Sequence, residues 1–414
     1  MYRVKDMTLA PLGKQKIHWV REHMPVLNEI EEQFEKEKPF EDETIAICLH
    51  LEAKTAYMAE IFQRGGGEVY ISGSNPLSTD DAVCARLAEE GIHVYSWWNM
   101  DEESYHNNLT VLLEAEPIII IDDGADLTSL LHTEKSSIAS VKGACEETTT
   151  GITRVRALQK EGKLRFPVIA VNDAYCKHLF DNRYGTGQSA LEGIMRTTNL
   201  VVAGKKVVVA GYGWVGKGVA MRARGMGARV IVTEIDPVKA LEAHMEGFEV
   251  MPMDEACLQG DVFVTCTGNI DVITEDHFTA MKNGAILCNA GHFDIEIDIK
   301  SLRKMAESRK ARNNVEEYSI NGKVVHVLGE GRLVNLACAD GHPAEIMDLS
   351  FALQVLSAHY LLEHSEELEN RLLPVPKELD IQVAERALKA QAITIDRLTE
   401  RQKAYMESWK YSYD

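Results

Sequence analysis

The sequence predicts an α/β fold of two doubly wound parallel sheets with a small helical segment at the C-terminus. Two observations carry this. Short β-branched apolar runs alternate with helical stretches from residue 44 to about residue 172, and the alternation restarts at residue 204 around a glycine-rich turn. Parallel neighbours cannot be joined by a tight turn, so such alternation implies helical crossovers packed on a parallel sheet.

In the first half, strands are expected at TIAICL (44–49), EVYISG (68–73), IHVYSW (92–97), PIIIID (117–122), SVKGAC (140–145) and PVIAVN (167–172). The helix after the first strand, in LEAKTAYMAEIFQRGGG, is closed by glycines, and STDDAVCARLAEEG has a Ser-Thr-Asp start and a Gly stop. In the second half, strands are expected at 205–211, 228–234, 261–268 and 285–291, with VGKGVAMRARGMG and DPVKALEAHMEG as connecting helices. Residues 308–330 read as a surface excursion with a short hairpin at Asn321-Gly322. From about 345 the chain turns helical (AEIMDLSFALQVLSAHYLLEH) and ends in a further helical stretch, TIDRLTERQKAYMESWK. No low-complexity linker separates the halves, so the boundary near 182–190 is expected to be a helix or a tight hinge.

A chain of 414 residues suggests two or three domains. With 45% hydrophobic and 26% charged residues it has the composition of a globular protein, not of a disordered one. Lys+Arg 44 against Asp+Glu 64 gives a net charge of −20, which would repel phosphate backbones and anionic lipid, so no nucleic-acid or membrane partner is expected. No run approaches the ~18 apolar residues of a membrane span. The N-terminal stretch lacks the apolar core of a secretory signal. The eight cysteines are scattered without a CxxC pair, so no metal site is expected and the natural setting is reducing and cytoplasmic.

Gly211-Tyr-Gly213-Trp214-Val215-Gly216 follows the strand KKVVVA and opens a helix. That is the strand–turn–helix context in which backbone N–H groups and a helix N-terminus hold a pyrophosphate. Glu234 ends the next strand, about 20 residues on, where a carboxylate accepts from the ribose hydroxyls and repels a 2′-phosphate. NAD is therefore favoured over NADP.

Other polar groups fall at the carboxyl ends of the expected strands of the first half, the edge where open α/β sheets bind ligands. They are His50, then Asp122-Asp123-Gly124, then Glu146-Glu147-Thr148-Thr149-Thr150, then Asn172-Asp173. Each alone has a bland alternative as a helix cap or a satisfied structural group. Lys177 and Asp181 are spaced i, i+4 on the next helix; that spacing fits a surface ion pair as well as a lysine held near a carboxylate to relay a proton. NAD plus acid–base residues would also suit a net dehydrogenase of a small hydroxy or amino acid.

Several segments together resemble the S-adenosylhomocysteine hydrolase family: LHLEAKTA (49–56), IDDGADLT (121–128), EETTTG (146–151), VNDAYCKHLFDNRYG (171–185), VVVAGYGWVGKG (207–218), TEIDP (233–237), NAGHFDIEID (289–298) and EGRLVNLACADGHP (330–343). The resemblance spans about residues 45–400. It implies a substrate-binding and catalytic domain at 1–184 completed by about 345–385, an inserted Rossmann NAD domain at 185–344, a helical tail at 386–414, and a homotetramer. It also implies the chemistry. NAD oxidises the ribose 3′-hydroxyl of a nucleoside–homocysteine thioether, the resulting ketone acidifies C4′–H, homocysteine leaves C5′, water adds, and the ketone is reduced back. Carried over position by position, Lys177 with Asp181 removes the 3′-hydroxyl proton, Asp123 handles the C4′ proton, and His50 and His292 serve water and leaving group at C5′. Glu147 and Asn182 hold ribose and lysine, Thr55 stands with the substrate-side residues, and His342 closes over the substrate. Thr148, Thr149 and Thr150 meet NAD from the substrate side. Gly211, Gly213, Trp214, Val215, Gly216, Glu234, Lys239, Ala290, Gly291 and Asn335 meet it from the cofactor side.

The chain departs from the best-known members at matched positions. Glu52 and Lys54 stand where those members carry Thr and Glu. A lysine donates only, so Lys54 cannot accept from an adenine N6 amine, whereas it can donate to a carbonyl O6 while Glu52 accepts from a protonated N1. That pair of groups belongs to hypoxanthine, which makes S-inosylhomocysteine a candidate substrate beside S-adenosylhomocysteine. If both residues instead turn away from the base, adenine would be held by backbone near Asp340–His342. Thr186 replaces a cysteine beside the nicotinamide, and Lys239 replaces an asparagine near the adenosine ribose. The chain ends at KYSYD, where members carry a longer tail reaching a neighbouring subunit's NAD site; Lys410, Tyr411 and Tyr413 are the residues available to substitute, and weaker NAD retention is expected.

Overall fold

The computed structural model describes residues 1–133 and 140–409; Lys410, Tyr411 and Tyr413 lie outside the described residues. The first half forms β1 (Thr44–Leu49), β2 (Glu68–Gly73), β3 (His93–Val94), β4 (Ile119–Asp122), β5 (Gly143–Glu146) and β6 (Val168–Ala170). The second forms β7 (Lys206–Ala210), β8 (Arg229–Thr233), β9 (Glu249–Val250), β10 (Val262–Thr265), β11 (Ala285–Asn289), β12 (Glu307–Arg312), β13 (Val315–Ile320) and β14 (Lys323–Leu328), and the chain then returns with β15 (Leu372–Pro374). Helices that position the site are α1 (Ala53–Arg64), α2 (Thr149–Lys160), α3 (Thr186–Thr198), α4 (Trp214–Gly225), α5 (Ala344–His364) and α6 (Lys377–Ala390).

The first sheet runs β15-β6-β5-β4-β1-β2-β3, all parallel. Its strands are buried on both faces. In β1, Ile45, Ile47 and Leu49 pack with Phe34, Met58 and Leu353, while Ala46 and Cys48 pack with Leu112, Leu131 and Val155 on the opposite side. Strand order reverses between β1 and β4, whose Cys48 and Asp122 are register partners. A crevice opens at that switch point beyond the strand ends, which is where His50 and Asp123 sit.

The second sheet runs β12-β13-β14-β11-β10-β7-β8-β9, with its own reversal between β7 and β10. It is mixed, not wholly parallel as expected. The segment 308–330 is no surface excursion: β12 and β13 run antiparallel and extend the sheet from β14, which itself pairs parallel with β11. The hairpin at Asn321-Gly322 is present, both residues taking positive φ (50° and 78°). Tyr318, Ile320, Val325 and Val327 are buried core. Charged β12 (ESRKAR), exposed throughout, ends the sheet with a strand unsuited to further pairing.

Two more differences concern length and location. The expected strand 92–97 shrinks to His93–Val94, and the short run Leu372–Pro374, read as part of a helical region, pairs parallel with β6. In the final stretch the helix covers Glu400–Glu407 only, opened by a Thr399–Gln402 capping box. No described helix is long and apolar enough to cross a membrane.

The halves are joined by one short turn (Tyr175–Lys177), a π-helical segment (His178–Gly185) and α3. The crossing of this connection with α4 is backbone on backbone. A Cβ on Gly218 would lie 1.8 Å from the Arg183 carbonyl oxygen, and one on Gly187 2.6 Å from the Gly218 carbonyl carbon. Gly218→Ala should therefore lower stability by about 1–3 kcal/mol through forced separation of these segments, measured as a fall in the calorimetric Tm; an unchanged Tm would show that the crossing relaxes freely.

Candidate active site

β1 and β4 deliver His50 and Asp123 to the switch-point crevice. Asp123 is 1% exposed. His50 Nε2 lies 3.3 Å from its Oδ2 and the Ser74 hydroxyl donates to the same oxygen at 2.8 Å. His292, in the loop after β11 of the other sheet, brings Nδ1 to 3.6 Å from Asp123 Oδ1. That Oδ1 has no hydrogen-bond partner. Burial pushes the Asp123 carboxyl up, but His292, His50 and the Ser74 hydroxyl outweigh it and hold it below the usual carboxylate range. Burial pushes His50 down to about 4 despite Asp123, so its imidazole is neutral at physiological pH. Ligand atoms of His50, Asp123 and His292 lie within 4.8 Å of one another, a spacing that would also admit a cation.

The loop carrying Asp123 is fixed by two buried carboxylates on either side of it. Asp122 accepts from the Leu127 and Thr128 amides, and Glu146 accepts from the Gly124 and Ala125 amides. Asn289 does the same for the His292 loop: its Oδ1 accepts from the Gly291 amide, and its Nδ2 donates to the Gly291 and Phe293 carbonyls.

Lys177 occupies a second cluster. It is 4% exposed, with Nζ at 3.3 Å from Glu147 Oε1, 3.3 Å from Asp181 Oδ2, 2.9 Å from Asn182 Oδ1 and 3.4 Å from Asn172 Oδ1. This is not the exposed surface pair that the i, i+4 spacing alone allowed. Burial pulls the lysine down, yet Asp181 and Glu147 more than reverse it, so Lys177 is an ammonium. Asp181 lies far below the usual range: burial opposes ionisation, but Lys177, His342 and the Ser350 hydroxyl prevail. His342 Nδ1 stands 2.6 Å from Asp181, and its Nε2 meets the Thr186 hydroxyl at 3.0 Å. Burial raises Glu147 to about 7 against the pull of Lys177.

Glu52 and Lys54 do not face solvent. Glu52 N-caps α1, accepting from the Lys54 and Thr55 amides, and Lys54 is 6% exposed. Lys54 Nζ contacts Glu52 Oε2 at 2.6 Å and donates to the Asp340 carbonyl at 3.0 Å. The Thr55 hydroxyl donates to the His50 carbonyl at 2.6 Å, fixing the turn between histidine and helix. With Leu49, His50, Asp123, Glu147, Leu336, His342, Met347 and Phe351, Glu52, Lys54 and Thr55 line one cavity that reaches both clusters. A larger, open groove between Glu102, His106 and Arg154 holds none of the expected site residues.

The glycine-rich turn fits a dinucleotide. Gly211 takes φ +97°, and a Cβ on Gly216 would lie 2.0 Å from the Gly211 carbonyl oxygen, so neither admits a side chain. A Cβ on Gly213, at the N-cap of α4, would meet nothing within 4 Å, leaving the approach to the helix N-terminus open beside Trp214 and Val215. Glu234 follows the last residue of β8 and accepts from the Tyr212 and Ile235 amides at 2.6 and 2.7 Å. Lys239 is exposed, 4.0 Å from Asp236. Asn335 is 1% exposed with its Oδ1 unpartnered, an acceptor suited to a carboxamide N–H. Ala290 and Gly291 are buried at the end of β11. Of the threonines, Thr148 is spent on structure, its hydroxyl donating to Glu146 and accepting from Gly124 and Gly151. Thr149 accepts from Asn172, and Thr150 is half-buried.

Sequence reasoning missed Ser350 and Gln354 of α5, which bond Asp181 and Glu147 at 2.7 and 2.5 Å. A signal existed: two polar residues at i, i+4 inside an apolar helix share one face. Ser74, Ser78 and Asn289 were missed too, and nothing local in the sequence marks them.

Two sheets whose strand-end loops meet at His292 and Asp123, a dinucleotide cradle on one and a buried acid–base cluster on the other, define a two-domain NAD-binding enzyme. Comparison with known proteins agrees. Residues 1–139 match the family model for S-adenosyl-L-homocysteine hydrolase, and residues 182–341 match the model for its NAD binding domain. The chain is 57% identical over 412 residues to an S-inosyl-L-homocysteine hydrolase of Methanocaldococcus jannaschii, covering 99% of both chains. It is 54% identical to a protein of the same name from Methanococcus maripaludis, again over 99% of both. It is 55% identical to an adenosylhomocysteinase of Pyrococcus abyssi, covering 99% of this chain and 98% of that one. The chain belongs to the S-adenosyl-L-homocysteine hydrolase family, and its cofactor is NAD.

Removing an orphaned acceptor relieves the free protein while costing a ligand that satisfies it. Asn335→Ala should thus weaken NAD binding about tenfold, the ~1.4 kcal/mol of one lost hydrogen bond, with the Tm of the NAD-free protein unchanged or raised. Titration calorimetry with NAD checks this, and unaltered affinity would remove Asn335 from the cofactor site.

Proposed function

We propose that the protein catalyses reversible hydrolysis of a purine-nucleoside homocysteine thioether to nucleoside and L-homocysteine, with S-inosylhomocysteine as the preferred substrate. The observation that carries the base preference is the buried Lys54–Glu52 pair in the wall of the site cavity. Its ammonium and carboxylate match a C6 carbonyl and an N1–H, and they mismatch an adenine, which offers an amine and a bare nitrogen at those positions. Relatives named for either thioether are about equally similar to this chain, so their names do not choose between the bases.

NAD, when bound, supplies a hydride acceptor for the ribose 3′ carbon and returns the hydride at the end of the cycle. The chain's own groups handle protons. Lys177 would take the 3′-hydroxyl proton only after passing on one of its own, and Glu147, held near 7, is the partner able to accept it. Asp181 stays ionised and anchors the ammonium, with His342 and Ser350 anchoring Asp181 in turn. Asn182 and Asn172 fix the direction of the lysine tip. Asp123, ionised and with one oxygen unpartnered, takes the C4′ proton. His50, neutral, and His292 stand on either side of Asp123 to activate water and protonate the leaving sulfur at C5′. Burial of Asp123, Glu147, Lys177 and Asp181 keeps water from the ketone.

A homotetramer and a cytoplasmic setting complete the proposal. Exposed apolar side chains on the second half, Ile235, Val238 and Met245, and on the tail, Ile393, Ile395 and Met406, support contacts with further copies.

Two outcomes are expected. First-turnover rate should rise as pH increases through about 7, where Glu147 loses its proton and can receive one from Lys177. Glu147→Gln should abolish that limb and lower the rate about 100-fold; a pH profile unchanged in the variant would remove Glu147 from the relay. Homocysteine release from matched S-inosyl- and S-adenosylhomocysteine, with NAD present, should favour the inosine thioether, and Glu52→Thr with Lys54→Glu should shift the ratio at least about 100-fold towards adenosine. Preference for the adenosine thioether in the unmodified protein would overturn the base assignment and leave the reaction class standing.

A further inference from the structure

Asp380 lies on α6, remote from the reacting groups, yet it grips the turn that carries Lys177. It is 8% exposed, and its carboxylate accepts from the Tyr175 amide at 2.7 Å through Oδ2 and from the Cys176 amide at 2.8 Å through Oδ1. The Cys176 thiol donates to the Asp380 carbonyl at 3.3 Å, a third strap between the same two segments. Lys177 is the next residue and ends that turn.

The turn has little rigidity of its own. It is three residues long and runs directly into the π-helical segment His178–Gly185. A single helical turn fixes many dihedrals for one hydrogen bond, and π geometry adds little. Lysine has four rotatable side-chain bonds, and the Lys177 tip is fixed by Glu147, Asp181, Asn172 and Asn182. Fixing the tip defines the position of Nζ only if the root is also fixed, and the root is the backbone that Asp380 holds. A carboxylate receiving two backbone N–H bonds is a stiff, charge-assisted clamp.

We propose that Asp380 is a positioning residue for the proposed reaction: it sets the register of the 175–177 turn, and through it the distance between the Lys177 ammonium and the substrate 3′-hydroxyl. The proposal rests on the function set out above. It separates Asp380 from an ordinary helix cap, whose loss would lower stability but leave the rate per folded, NAD-loaded site untouched.

The test uses full-length, NAD-loaded protein, unmodified and as Asp380→Asn and Asp380→Ala. Asparagine keeps one acceptor oxygen and alanine keeps none. Three quantities are read: single-turnover formation of bound NADH per loaded site on mixing with thioether substrate, KM, and amide hydrogen exchange at residues 175–177. Positioning predicts a fall in the NADH-forming rate of about 10-fold for Asn and about 100-fold for Ala, with KM within about 3-fold and faster exchange confined to the 175–177 amides. Wild-type rates per loaded site in the variants would overturn the proposal, whatever happens to Tm. So would a KM that rises while the rate holds. If the alanine variant does not fold, the asparagine variant decides by the same criteria. Absence of any NADH signal in the unmodified protein would overturn the hydrolase reading itself, and this proposal with it, a result distinct from a signal that the variants fail to change.

Discussion

The buried ammonium of Lys177 is the constraint on which the site depends. A charge that deep is costly unless it is paired and its remaining protons are bonded. Here two carboxylates and two amide oxygens meet it, and they come from separate parts of the chain: Glu147 from the end of β5, Asn172 from the end of β6, and Asp181 and Asn182 from the π-helical connection. Those partners need partners. Ser350 and Gln354 of α5 satisfy Asp181 and Glu147, and His342 closes Asp181 from the loop just before α5. Satisfying one cation therefore requires the return of the chain, after the whole second sheet, to pack on the first. The π-helical geometry of 178–185 belongs to the same requirement, since it carries Asp181 and Asn182 together onto the lysine side.

The second constraint is the meeting of two sheet edges. Each sheet has a switch point, and each makes a crevice at its strand ends. His292 belongs to the second sheet and Asp123 to the first, yet they stand 3.6 Å apart. A reaction that moves a hydride at one carbon and protons at its neighbours needs cofactor and acid–base groups on opposite sides of one small substrate. Facing crevices provide that geometry. The glycine contacts between Arg183, Gly187 and Gly218 let the connecting helices approach closely enough for it.

Much of this was legible in the sequence. Short β-branched apolar runs such as TIAICL and PIIIID gave away the strands with two buried faces, because a buried helix is longer and less rich in β-branched residues. The dinucleotide turn was legible because three glycines with different steric duties leave a fixed spacing. His50, Asp123, Glu147 and Lys177 could be singled out by their place at strand ends or on the following helix. What the sequence concealed is set by tertiary pairing. Leu372–Pro374 is a strand only because β6 offers it an edge, and β12 is a strand although every side chain in it is exposed. Lys177 and Asp181 look the same at i, i+4 whether buried or on a surface; burial by α5 decides, and α5 is about 170 residues away. Ser74 and Ser78 carry no mark at all, since a serine after a strand is ordinary until a buried Asp123 or His50 needs its hydroxyl.

Asp122 and Glu146 indicate how strongly position is favoured over local stability. They end neighbouring strands as register partners, and both are almost fully buried. Burial and neighbouring acids raise both carboxyls, Asp122 to about 6. An apolar pair at the same strand ends would avoid that cost. It would also leave the amides of Ala125, Leu127 and Thr128 without these acceptors and the Gly124 amide with the Thr148 hydroxyl alone, and those amides define the loop that begins at Asp123. The arrangement makes sense once the loop itself is the object being stabilised. One ionised carboxylate must stand in the crevice with an oxygen unpartnered, and backbone alone would not hold it there. Two further carboxylates, turned inward and spent on main-chain amides, fix the one that is turned outward.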